Sequence, residues 1–117
     1  MPARPFESEV SIAPPGVRIV LHGQLDRDAD LAAAYDRGRV LAGGSVELDF
    51  GDVDYINSTG IALIVGLLAE ARRDGRPVLA RGLTEHYLEI FRITRLADFM
   101  TLLDERPAPA GAEGGRR

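Results

Sequence analysis

Cysteine is absent from this 117-residue chain, and so is lysine: all 14 basic residues are arginine. Without thiols there is no disulfide, no thiolate metal site and no cysteine nucleophile. Without lysine there is no Schiff-base chemistry, no phosphate-loop lysine and no lysine-assisted phosphoryl transfer. Long apolar runs are missing too. No stretch of about 18 residues could span a bilayer, and the opening MPARPFESEV lacks the apolar core of a secretory leader. The arginines are scattered, and with a net charge of -4 they form no basic stripe for a nucleic-acid backbone. A cytoplasmic protein, with no membrane insertion and no direct nucleic-acid contact, is the expectation.

What is present suffices for one domain. A chain of this length buries roughly two thirds of its unfolded surface on folding, and 45% of its residues are apolar. Val10 to Ala13 reads as a short strand, Pro14-Pro15-Gly16 as a turn, and Val17 to His22 as a second strand with Val17, Ile19 and Leu21 on one face. Gly23-Gln24-Leu25-Asp26 leaves that strand. Asp28 or Asp30 caps a helix running to about Ala42, with Leu31, Ala34, Tyr35 and Leu41 turned inward and Gly43-Gly44 as its stop.

Ser45 to Phe50 alternates cleanly, Val46, Leu48 and Phe50 against Glu47 and Asp49, as in a sheet covered by helices on one side and less covered on the other. After 51–55, Ile56-Asn57-Ser58-Thr59-Gly60 opens a strongly apolar helix that Asp74-Gly75-Arg76-Pro77 closes near Arg73. Pro77 to Arg81 is another strand. Thr84 caps a third helix carrying Leu88, Ile90 and Phe91 to near Leu96, and Phe99 to Leu103 reads as a strand or helical turn. The expected class is α/β, a mixed sheet of four to five strands with three to four helices mainly on one face. Residues 1–7 are expected as an arm, 8–105 as the domain, and 106–117 (RPAPAGAEGGRR) as a flexible tail too poor in apolar groups to order itself.

Residues 56–60 carry the most chemical information. Asn57, Ser58 and Thr59 are all good helix-capping types, and three in a row exceed what one cap requires. The first turn of a helix has unpaired N–H donors and a partial positive charge, so it tolerates an anion. A phosphate on Ser58 would add about -1.5 to -2 charges there, and Gly60 leaves the backbone beside the hydroxyl uncrowded. Simple capping accounts for the same residues. Along the helix, Ile61, Ile64, Val65, Leu67, Leu68 and Ala71 share a broad core face. The other side carries Ala62, Gly66 and Ala69 and ends at Arg73. Glycine on a solvated helix face costs roughly 1 kcal/mol. Such a small-residue stripe suits close approach either by a partner protein or by another helix of the same domain.

Other constellations point to no enzyme. Asp49, Asp52 and Asp54 resemble the Asp-x-Asp loop of a phosphatase fold, but that chemistry also wants a lysine, and the carboxylates read as solvated loop groups. A serine hydrolase would need His22 or His86 beside Ser58 and a Gly-x-Ser-x-Gly elbow that the chain lacks. His22 is placed on the outer sheet face and His86 on the exposed side of the third helix. Their separation shows no metal-ligand spacing.

Two motifs at matching separation bring in a family. Gly23-Gln24-Leu25-Asp26 resembles the Gly-Glu-Leu-Asp that follows the second strand of STAS domains. Val53-Asp54-Tyr55-Ile56-Asn57-Ser58-Thr59-Gly60-Ile61 resembles their Asp-Ser-Ser/Thr-Gly-Leu/Ile signature, and the element order matches over about residues 8 to 104. The likeness is to the anti-sigma-factor antagonists. It implies a STAS fold and a partner-switching cycle in which the unmodified chain, a monomer when free, binds an anti-sigma factor that is also a serine kinase. Phosphorylation of Ser58, with Thr59 the secondary acceptor, ends that complex, and a metal-dependent serine phosphatase resets it. The kinase brings ATP and magnesium, so the chain itself is expected to need no cofactor or metal. Asp26, Asn57, Ser58, Thr59, Gly60, Ala62, Gly66, Ala69 and Arg73 are the expected partner-binding residues. Two positions depart from the family pattern: Asn57 stands where it has Asp, and Gln24 where it has Glu. They keep open a second reading, a STAS scaffold in a sensor complex or lipid-transport system that is not phosphorylated.

Overall fold

Alternating burial along the strands explains the architecture. In the computed structural model, which describes residues 4–103, five strands form one sheet in sequence order β1-β2-β3-β4-β5. Strand β1 (Glu7–Ala13) runs antiparallel to β2 (Gly16–Leu25), while β3 (Val46–Ile56), β4 (Val78–Arg81) and β5 (Thr101–Leu102) continue it in parallel. Parallel neighbours need crossovers, and helices α1 (Leu31–Leu41), α2 (Ser58–Arg73) and α3 (Glu85–Ile93) supply them. A 3-10 turn, Leu96–Phe99, precedes β5, so the last segment is both helical turn and strand.

One face of the sheet forms the floor of the core. Val17, Ile19 and Leu21 of β2, Val46, Leu48 and Phe50 of β3, and Val78 and Ala80 of β4 are buried there beneath Leu31, Ala34, Tyr35, Ile64, Leu67, Leu68, Ala71 and Phe91 of the helices. Phe50 and Phe91 meet edge to face at 5.9 Å between ring centres. The opposite face is polar and half-open, with Glu47 paired to both Arg18 and Arg81 at 3.0 and 2.8 Å. The one-sided cover expected from the alternation of β3 is what the sheet has.

Each helix begins on a capping side chain. Asp30 accepts from the Ala33 N–H, Asn57 from Gly60, and Thr84 from Tyr87. Gly75, at φ 70, follows the end of α2 in the left-handed region that the Asp-Gly-Arg-Pro sequence predicts. Just beyond it, the buried Arg76 donates to the Ala42 and Gly44 carbonyls after α1 at 2.8 and 2.5 Å, satisfying acceptors that the helix leaves open.

Several details differ from expectation. Strands β2 and β3 run on to Leu25 and Ile56, where they were expected to stop near His22 and Phe50. Between Phe50 and Ile56 strand β3 is largely exposed, so pairing continues there without the apolar alternation that marks a strand, although Leu25 and Ile56 at the two strand ends are buried in the core. Leu41 is 43% exposed, and the inward position one turn earlier belongs to Gly38, where a Cβ would lie 3.2 Å from Val17. Val65, expected in the core, is 47% exposed. Helix α3 stops at Ile93, because Arg95 adopts a left-handed φ of 67 before the 3-10 turn. The expected tail, 106–117, lies outside the described residues.

Candidate functional site

The site forms where β2 and β3 end side by side. Leu25 pairs with Ile56 as the last rung of the ladder, and the Leu25 carbonyl then accepts the Asn57 N–H at 3.2 Å. One residue later the chain becomes helix α2. Asn57 is its cap: the side-chain oxygen accepts the Gly60 N–H at 2.8 Å. Ser58 and Thr59 therefore occupy the first turn, relieved of capping, and both are exposed. Of the three capping types in the sequence, only the first does that work.

Gly60 differs from its neighbours. It is buried, and a Cβ there would stand 2.1 Å from the Leu25 carbonyl oxygen. Its role lies within the chain, admitting the first turn of α2 onto the end of β2, and it offers a partner no exposed surface. Asp26 follows Leu25 directly and is half-buried. Its carboxylate accepts the Asp28 N–H at 3.0 Å, and its carbonyl accepts the Ala29 N–H at 2.9 Å, forming the turn that leads toward α1. That turn sets Asp26 on the strand end beside Asn57.

Ala62, Gly66 and Ala69 are all exposed along α2, and a Cβ on Gly66 would meet nothing within 4 Å. At Gly66, among the described residues, no other helix covers the stripe. Arg73, at its far end, is exposed and pairs with Glu70 at 3.1 Å. Exposed Val65 widens this surface. From Ser58 to Arg73 the helix is roughly 22 Å long at 1.5 Å per residue.

The acidic cluster before the site is exposed at Asp52 and Asp54, as expected, but it lies on β3 and not in a loop, and its carboxylates are partnered. Asp49 accepts the Gly51 N–H at 2.9 Å. Asp52 and Asp54 both accept from the Arg4 guanidinium, at 3.0 and 2.8 Å. Asp52 also meets His22 Nδ1 at 2.5 Å. Hydrogen bonds from Arg4 first and His22 second hold the Asp52 carboxyl down to about 2, and Arg4 lowers Asp54 as well. The Asp52 contact in turn raises the pKa of His22. His22 lies on the open sheet face as expected. His86 is exposed on α3, its ring 4.9 Å from that of Tyr87. Among the described residues no group of His, Asp or Glu is arranged to hold a metal ion, and no helix is long and apolar enough to cross a membrane.

Sequence reasoning missed two supports of the site. Tyr87, from the first turn of α3, accepts the Ile56 N–H on its hydroxyl at 2.9 Å and so steadies the last residue of β3. Arg4 reaches the same strand from the arm. Neither contact leaves a signal in sequence spacing, since the partners lie 31 residues apart in one case and 48 and 50 in the other.

A mixed sheet covered on one side, with a capped helix leaving it beside an exposed serine, is the architecture of a STAS domain. The family model described as "Mlab, STAS domain" matches residues 8–104, and the chain belongs to the STAS domain family. The Bordetella bronchiseptica protein named "Putative anti-sigma factor antagonist BtrV" is 29% identical over 85 residues, which span 73% of this chain and 70% of that protein. Among solved structures, the anti-sigma factor antagonist SpoIIAA in its unphosphorylated form superposes with a TM-score of 0.61 at 19% identity, over 91% of this chain and 94% of that one. The Bacillus cell fate determinant SpoIIAA in the phosphorylated form gives 0.60 at 20% identity, over 91% and 97%. The five-stranded sheet with three helices is thus a fold shared with SpoIIAA.

Proposed function

We propose that this chain is a non-catalytic anti-sigma-factor antagonist, which binds an anti-sigma factor with serine kinase activity and is released when that kinase phosphorylates Ser58. The observation that carries the reading is the position of Ser58, exposed in the first turn of α2 while Asn57 makes the cap. In the transfer, the Ser58 oxygen bonds to the γ-phosphorus of the kinase's ATP, ADP departs, and the hydroxyl proton passes to a base on the kinase. The N-terminal end of α2 tolerates the resulting charge within this chain. An interface closed over it does not, because a buried dianion without waiting arginines suffers desolvation and repulsion. A tenfold loss of affinity needs only about 1.4 kcal/mol.

The docking surface is Ser58 and Thr59 with the stripe Ala62, Gly66, Ala69 and Arg73, flanked by Asp26. The name of the BtrV relative supports the antagonist reading, as does the existence of a similar domain in both phosphorylated and unphosphorylated forms. A serine phosphatase resets the cycle, which runs in the cytoplasm. Titration of the cognate anti-sigma factor with Ser58→Ala and Ser58→Asp chains tests the reading: alanine retains binding, and aspartate weakens it at least about tenfold. Equal affinity for the two would defeat the switch.

Asn57 favours a second reading. A neutral amide stands at the cap where the antagonists carry a carboxylate, so a constitutive scaffold could use the same surface unmodified. Affinity capture from the native host separates the two: an anti-sigma factor with serine kinase activity for the first, transporter or sensor subunits for the second.

A further inference from the structure

The acidic end of β3 is gripped from two directions, and the grip lies just ahead of Ser58. From one side Arg4 forks across two carboxylates. Its Nε and Nη2 donate to Asp54 at 2.9 and 2.8 Å, its Nη1 to Asp52 at 3.0 Å, and its Nη2 also to the Asp52 carbonyl at 2.8 Å. From the other side His22 Nδ1 meets Asp52 at 2.5 Å. The Arg4 backbone is fixed as well, since its carbonyl accepts the Gln24 N–H at 3.1 Å. Gly23, at φ 80, makes room for this crossing: a Cβ there would stand 2.2 Å from the Pro5 carbonyl oxygen.

The grip falls where the β2–β3 ladder is irregular. Register shifts occur between Val20 and His22 and between Gly23 and Gln24. At such an irregularity the ladder is locally disrupted and the strand bends, so side-chain contacts made there help to set its path. Downstream, only residues 55–57 separate Asp54 from Ser58, and the Ile56 and Asn57 N–H groups bond to Tyr87 and Leu25.

We propose that Arg4 and His22 are positioning residues for the Ser58 site: their hold on Asp52 and Asp54 sets the path along which β3 delivers Asn57 and Ser58 to helix α2, and it loosens when His22 gives up its proton. That this end of the domain is a functional site rests on the reading above; the grip itself is internal to the chain.

The charges facing His22 fix the sign. Strand β1 contributes Glu9, 3.3 Å from Nε2 as an ion pair rather than an aligned hydrogen bond, and Glu7, opposite His22 in the ladder. Strand β3 contributes Asp52, and the arm contributes Arg4, bound to the same Asp52. Three carboxylates against one guanidinium favour the imidazolium, in line with the raised pKa. Below the ordinary imidazole value of about 6.5, His22 is charged whether the chain is folded or not, and its full contribution is present. As pH rises through the higher folded value, the imidazolium charge is lost, the His22 contact weakens to that of a neutral imidazole, and Arg4 is left as the one cation on Asp52.

Amide hydrogen exchange on the full chain, without any partner, tests this. Protection factors corrected for intrinsic exchange are followed at Gln24 and Asn57, with Leu48 and Ile64 as core references, from about pH 5 to about pH 8.5. In the wild-type chain Asn57 protection falls with rising pH relative to the references. His22→Gln removes that dependence. Arg4→Gln lowers protection at Gln24 and Asn57 by about tenfold with the references unchanged, and Arg4→Lys, which keeps the charge but not the fork, falls between. Unchanged Asn57 protection in Arg4→Gln, or an equal loss at the core references, overturns the proposal, as does a pH dependence that survives in His22→Gln. Failure of the antagonist reading shows separately, in the Ser58 variants, and leaves the exchange result standing.

Discussion

Gly60 and Leu25 touch backbone to backbone: the Leu25 carbonyl oxygen fills the space in which a side chain on Gly60 would begin, 2.1 Å from an ideal Cβ. Because Leu25 also bonds the Asn57 N–H, one carbonyl both receives the incoming chain and seats the first helical turn. The glycine of the signature is therefore a packing requirement. Its φ is not positive, so the constraint is steric contact and not backbone conformation.

Gly60→Ala is expected to destabilise the chain by about 3 kcal/mol or more, since the opposing atom belongs to the backbone and cannot rotate away. The urea midpoint measures this directly. A loss under about 0.5 kcal/mol would mean that α2 shifts freely on the sheet, contrary to the contact described.

Gly66 should behave in the opposite way. With nothing within 4 Å of a Cβ and an ordinary helical backbone, Gly66→Ala is expected to stabilise the fold by up to about 1 kcal/mol, seen as a raised thermal midpoint. Gly66→Arg should also fold, yet bind the anti-sigma partner at least about tenfold more weakly, because it fills the stripe. Undiminished binding by the arginine variant would remove the stripe from the interface.

Acid should reveal the Arg4 grip. Asp52 is held down to about 2 and Asp54 is lowered too, both chiefly by Arg4. A depressed folded-state carboxyl contributes stability above the unfolded value of 3.8 and loses it as pH falls through the folded value. The urea midpoint of Arg4→Gln should thus lie below wild type near neutrality, with the gap narrowing from about pH 4 toward about pH 2. A gap that is constant across that range would assign the loss to something other than these carboxylates.

Much of this was legible in the residues. Thr84 and Gly75 read as cap and stop because short polar groups and glycine answer local backbone demands, and Asp30 is one of two candidates for the first cap. The face assignments of β2 and β3 followed from apolar alternation as far as the helices cover the sheet. Between Phe50 and the buried Ile56 that cover lapses, and with it the signal: Gly51 to Tyr55 reads as loop although it pairs with β2. The pairing of the exposed Asp52 and Asp54 is invisible for a related reason, since an arginine 48 and 50 residues away leaves no periodic trace. Val65 and Leu41 lay near the edge of apolar stripes, where a rotation of tens of degrees decides between core and solvent. Asn57, Ser58 and Thr59 were recognised as a group, but only the geometry distributes their tasks.

That division of labour has a consequence for any mark placed on the chain. The atom that closes helix α2 belongs to Asn57, so a substituent on the neighbouring hydroxyl need not undo a single backbone bond. Under the switch proposed above, the chain would keep one shape while its acquaintances change, and erasing the mark would return it to service with no refolding in between.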